Sequence, residues 1–211
     1  MNSNNSKISL RQSINWAWTT FKDNPRFYIG IVLTFFASWV VLELSVVAGQ
    51  RLGTIFNLTI HLVFLIVFSG LQIGFIKICL DVCVGNSPSY TELFKSLNQG
   101  AKLLIAQLAY LVMILIGLLL LIVPSFYLGA RFAFFGFEIA EKDSKIIASF
   151  RASVTLTDNS IAKLAYYLFV LTLLNLMGAA FLGIGLLITV PVSVLAMTSL
   201  YQDLKLKRAS G

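Results

Sequence analysis

LLIAQLAYLVMILIGLLLLIV (103–123), then Pro124-Ser125, then FYLGARFAFFGFEIAEKD (126–143), is the stretch that decides the fold. The apolar run exceeds one bilayer crossing and is broken once, by a proline. Proline lacks the amide hydrogen that a continuing helix would use. The run therefore reads as a helical hairpin that crosses a membrane twice and turns at Pro124.

The flanking segments extend this plan in both directions. On the N-terminal side, residues 8–22 (ISLRQSINWAWTTFK) place Leu10, Ile14, Ala17, Trp18 and Phe21 on one helical face, as an interfacial amphipathic helix would. Asp23-Asn24-Pro25 ends it. Span one runs from about Phe27 to Ala48, and span two from about Ile55 to Ile76. Span two carries Gly70-Leu71-Gln72-Ile73-Gly74, a small-xxx-small spacing that predicts a close helix contact. Ser89 and Glu92 have the spacing of a capping box. They open a second amphipathic helix over 89–99, with Tyr90, Leu93, Phe94 and Leu97 on its apolar face. A third, Lys145 to Thr157, gathers Ile146, Ile147, Phe150 and Val154. Span five covers Ile161 to Leu182, and span six runs to about Tyr201 with Pro191 inside it.

The expected fold is all-α, a polytopic membrane helical bundle of about six transmembrane helices with three interfacial amphipathic helices. The plan is a threefold repeat of amphipathic helix plus transmembrane hairpin. Residues 1–211 form one integral membrane domain: an N-terminal amphipathic helix (1–26), hairpin one (27–84), two units of amphipathic helix plus hairpin (89–143 and 144–204) and a basic tail (205–211).

Composition agrees with this reading. The chain is 58% hydrophobic and 12% charged, against about 45–50% and about 25% in soluble domains. The N-terminus lacks the apolar core and cleavage site of a signal peptide, so the first span is expected to stay in the protein. The net charge of +7 does not point to nucleic acid, because the basic residues sit in short inter-span segments. Of the 16 lysines and arginines, only Arg51 falls in an outer loop and only Arg131 within a span. That asymmetry places both termini in the cytoplasm and the amphipathic helices on the cytoplasmic leaflet. Cys79 and Cys83, four apart on one helix face, read as small packing residues rather than a disulfide or a metal site.

Residues for chemistry are few. There is no glycine-rich phosphate loop, and Glu138, Glu141 and Asp143 read as solvated ends near the membrane edge. A Ser–His–Asp set stays open on chain order alone, yet no strand–turn–helix elbow surrounds any serine. No catalytic residue, metal or cofactor is expected. Polar groups inside the spans carry more weight, because lipid makes them costly. Arg131 leads, followed by Glu43 and His61, then Gln72, Gln107 and Asn175. At a rise of ~1.5 Å per residue, Arg131 lies ~10 Å below the turn, with Glu43 and His61 at a similar depth in their own spans. Arg131, Glu43 and His61 are thus expected to form an intramembrane polar layer with a structural role, with Glu43 paired to Arg131. The competing reading has each group reach separately to the outer interface.

VPSFYLGARFAFFGFEIAEKDSKIIASFRASVTLTDNS (123–160) and LLNLMGAAFLGIGLLITVPVSVLAMTSLYQDL (173–204) together resemble a bacterial family of multi-spanning membrane proteins of unknown function. Relatives of that family are fused, as the membrane domain, to glycerophosphodiester phosphodiesterases. The resemblance covers roughly residues 90–204. It implies an integral inner-membrane protein of about six spans, and it implies no reaction. The phosphodiesterase domain itself is absent: one histidine and nine acidic residues do not supply its metal-assisted hydrolysis.

The expected function is that of a non-enzymatic inner-membrane protein that supports membrane or envelope organisation, with membrane lipids and other membrane proteins as partners. The alternative is a small transporter or channel for a lipid or solute. A membrane-embedded enzyme acting on lipid has no residues to carry it.

Overall fold

Pro25 stands at the first position of a helix, where a missing amide hydrogen is no loss. It separates α1 (Leu10–Asp23) from α2 (Pro25–Ala48). The computed structural model describes residues 10–49, 53–120, 122–158, 160–181 and 183–209, and every regular element among them is helical. After α2 come α3 (Thr54–Cys83), α4 (Tyr90–Lys95), a 3-10 turn (Leu97–Gln99) and α5 (Gly100–Leu120). Then follow α6 (Ile122–Arg131), α7 (Phe135–Lys142), α8 (Ile146–Thr157), α9 (Ile161–Ala180) and α10 (Leu186–Ala209). The loop expected over residues 49–53 lies largely outside the described residues.

Among the described residues, five stretches are long and apolar enough to cross a membrane: α2, α3, the run from α4 through α5, α9 and α10. The expected fourth span is not one helix. It is α6, of 10 residues, and α7, of 8, separated by a turn at Phe132–Phe134. Pro124 does not make the hairpin turn either. It lies in the first turn of α6, where its lost donor is one of the amides that no helix satisfies.

Burial divides α3 in two. No residue from Thr54 to Phe68 is buried, whereas Ser69, Gly70, Leu71, Ile73, Gly74, Phe75, Ile78, Cys79 and Leu80 all are. The buried half is enclosed by α4, the 3-10 turn, α5, α7 and α10. The helix is thus a bare apolar rod at one end and the centre of a packed layer at the other. The GLQIG spacing explains how closely that layer packs. A Cβ on Gly74 would stand 2.6 Å from the Leu93 Cα, and one on Gly70 would stand 2.7 Å from the Leu97 Cα. The pairs 74–93 and 70–97 are antiparallel, so α4 runs back along α3 and continues into α5.

That register changes the face expected of the helix over 89–99. Its buried anchor is Leu93, fully enclosed, while Phe94 is exposed. The capping box is also unmade: Ser89 makes no side-chain cap bond, its hydroxyl meets Thr91, and Glu92 pairs with Lys95. The first amphipathic helix packs against α10 through Ser13, Ala17 and Phe21, with Trp18 turned outward. The third is rotated from the expectation. In α8 the residues that vanish from the surface are Ser149, Ser153 and Thr157; Ile146 and Phe150 pack half-buried beside them, while Ile147 is exposed. The basic tail continues α10 as helix to Ala209.

Candidate functional site: a polar layer around α7

Breaking a helix between Arg131 and Phe135 strands backbone groups, and a buried one left unpaired is costly. The hydroxyl stripe of α8 supplies partners. Ser153 Oγ accepts from the Phe134 N–H at 3.1 Å and donates to the Arg131 carbonyl at 3.0 Å. Thr157 Oγ1 also reaches that carbonyl, at 3.2 Å. One serine thus bridges both sides of the break and fixes α7 at an angle to α6. The spacing of Ser149, Ser153 and Thr157, four apart, was visible in the sequence; its inward direction was not.

The Arg131 side chain leaves the same break. Its Nη2 meets Asp158 Oδ1 at 2.9 Å, and its Nη1 donates to the Tyr127 hydroxyl at 3.1 Å. The expected Glu43–Arg131 pair is therefore not formed. The cause is position: α2 packs on α3 and α10, whereas α6 packs on α5, α8 and α9. Glu43 is exposed on α2. His61 is exposed on α3, its Nδ1 2.7 Å from the Asn57 carbonyl oxygen of its own helix. The structure brings none of these three together. The amides behave as expected. Gln107 Nε2 donates to Gln72 Oε1 at 2.5 Å between α5 and α3, and Asn175 Nδ2 donates to Ser193 at 2.8 Å between α9 and α10.

Beyond the break, α7 carries a carboxylate network that sequence reading had assigned to solvent. Glu138 is only 4% exposed. A carboxylate so enclosed needs partners. Lys142 Nζ reaches its Oε2 at 2.9 Å, and the Tyr201 hydroxyl of α10 stands 2.9 Å from its Oε1. The same hydroxyl stands 2.8 Å from Glu141 Oε2, and Lys205 Nζ meets Glu141 at 2.6 Å. Lys205, four residues from Tyr201, was read as tail; it closes α10 onto α7.

Beside this network lies a cavity of about 540 Å³. Lys77, Leu80 and Asp81 of α3 form one wall, Glu92 and Gln99 a second, and Ala140 to Asp143 a third. Asp143, in the left-handed region at φ 51°, ends α7 there, a conformation that aspartate adopts more readily than most residues. Its carboxylate holds Lys102 at the rim. The arrangement presents charges of both signs in one recess, between helices held rigidly by the glycine contacts.

No curated protein and no solved structure matches the chain. Residues 49–205 match a family described as Domain of unknown function (DUF7847), a span that begins just before α3 and ends at the lysine that clasps Glu141. The chain belongs to that family.

Proposed function

We propose that the protein is a non-enzymatic integral membrane protein whose packed, charged layer organises membrane components, with membrane lipids and other membrane proteins as its partners. The observation that carries this reading is the division of α3 into an uncovered apolar half and an enclosed half. The first suits lipid, and the second builds a rigid polar surface beside it. The charges around α7 support a structural use: Arg131 is matched by Asp158, Glu138 by Lys142 and Glu141 by Lys205.

Six crossings fit the packing best. Gly117 of α5 lies against Ser125 of α6, and α9 packs on α6. Antiparallel hairpins would then return α9 to the side from which α5 started, which supports α6 with α7 as a further crossing and the threefold plan as a repeat of hairpins. The basic asymmetry supports cytoplasmic termini. The resemblance of residues 123–160 and 173–204 to a bacterial family of multi-spanning membrane proteins of unknown function supports a place in a bacterial inner membrane.

A second reading, a small transporter or channel, is favoured by a cavity of about 310 Å³ between α5, α6 and α9, where Tyr110, Ser125 and Thr172 stand among apolar residues. The two readings separate in one pair of measurements. Crosslinking pull-down with lipidomics on a deletion strain should show reproducible membrane-protein neighbours or an altered lipid profile. Solute flux through reconstituted vesicles, with no such neighbours, would overturn the first reading in favour of the second.

A further inference from the structure

We infer that the cavity between α3, α4 and α7 receives a phosphoethanolamine group, the head of a zwitterionic phospholipid. The inference rests on the reading of the chain as an integral membrane protein.

Most charges that line the recess are already matched. Glu92 pairs with Lys95, Asp143 with Lys102, Glu141 with Lys205 and Lys142 with Glu138. Among the described residues, Lys77 and Asp81 line it without an ion pair. They lie one helical turn apart on α3, so they present a cation and an anion on one wall. Gln99 also lines the recess, and its Oε1 is buried with no hydrogen-bond partner. What remains unmatched is one ammonium, one carboxylate and one acceptor carbonyl.

A primary ammonium has three N–H donors and answers both Asp81 and Gln99, and a phosphate answers Lys77. A purely anionic head would leave Asp81 unmatched. A quaternary ammonium carries the charge but has no hydrogen to give Gln99. The volume of about 540 Å³ falls within the roughly 300–1,000 Å³ of small-molecule sites. Location selects the lipid over the free compound. Lys102, at the rim, lies one turn before Ile105, where the exposed apolar face of α5 begins at 56% exposure. A head group seated in the recess can therefore leave its acyl chains along α5.

The test uses the purified full chain, reconstituted into phosphatidylcholine vesicles containing either phosphatidylethanolamine or phosphatidylglycerol. Lipid retained after solubilisation is read by native mass spectrometry. Phosphatidylethanolamine should be retained over phosphatidylcholine by roughly tenfold, the equivalent of one charge-assisted hydrogen bond. Asp81→Asn and Gln99→Leu, checked for native helix content by circular dichroism, should each abolish the preference, and Lys163→Gln, an exposed lysine of α9 away from the recess, should preserve it. Equal retention of the two lipids, or a preference unchanged in both variants, would overturn the inference. Binding of soluble phosphoethanolamine without retention of the lipid would overturn the lipid as its source. A chain that fails to enter vesicles ends the membrane reading as well, whereas one that enters without discriminating ends only this inference.

Discussion

Ser153 holds two backbone groups that no helix holds. Removing its hydroxyl strands the Phe134 N–H and leaves the Arg131 carbonyl to Thr157 alone, so Ser153→Ala should destabilise by roughly 1–3 kcal/mol. Ser149 bonds only within its own helix, to the Ile146 carbonyl, so Ser149→Ala should cost clearly less in the same thermal-unfolding assay in detergent. The Arg131–Asp158 pair is open to its surroundings, with the arginine side chain 25% and the aspartate 50% exposed. A double-mutant cycle with Arg131→Gln and Asp158→Asn should return a coupling of at most about 1 kcal/mol. Glu43→Gln should show no coupling to Arg131. Sequence identified Arg131 as a residue with a partner but named the wrong one. Depth along a span is legible from residue counts. Which helix stands beside it depends on where α6 ends, and nothing local to Phe132–Phe134 announces that end. The stripe of α8 was hidden for the same reason, since a hydroxyl face turns inward only if broken backbone waits there.

At the scale of elements, glycine spacing was the most readable signal. Gly70 and Gly74 predicted a close approach, and the structure supplies the partner, the backbone of Leu93 and Leu97. Gly74→Ala would drive a methyl into that backbone, which cannot rotate away as a side chain can. It should destabilise by roughly 1–3 kcal/mol. Gly136→Ala, whose added carbon would meet only the Ile76 and Leu103 side-chain ends at 3.7 Å, should be near neutral. Equal melting temperatures for the two variants would refute the close register. The amphipathic segments were legible as helices but not in their setting. Periodicity gives a face, and Leu93 rather than Phe94 became its centre once α4 had α3 to lie against.

At the scale of the whole molecule, the exposed apolar helices and the basic asymmetry make a testable statement about orientation. In a chain with Cys83→Ser, single cysteines placed at Asn98 and Arg151, both exposed, should resist a membrane-impermeant thiol reagent in intact cells and react in inverted vesicles. Labelling from outside would reverse the topology.

The break between α6 and α7 also has a consequence for biogenesis. Neither half is long enough to be inserted alone as a crossing segment. The groups stranded between them wait for hydroxyls that the ribosome adds about twenty residues later. If α6 with α7 is the proposed crossing, a nascent chain halted before Ser153 carries one it cannot finish, and α6 and α7 should remain extractable and protease-sensitive until that serine has emerged.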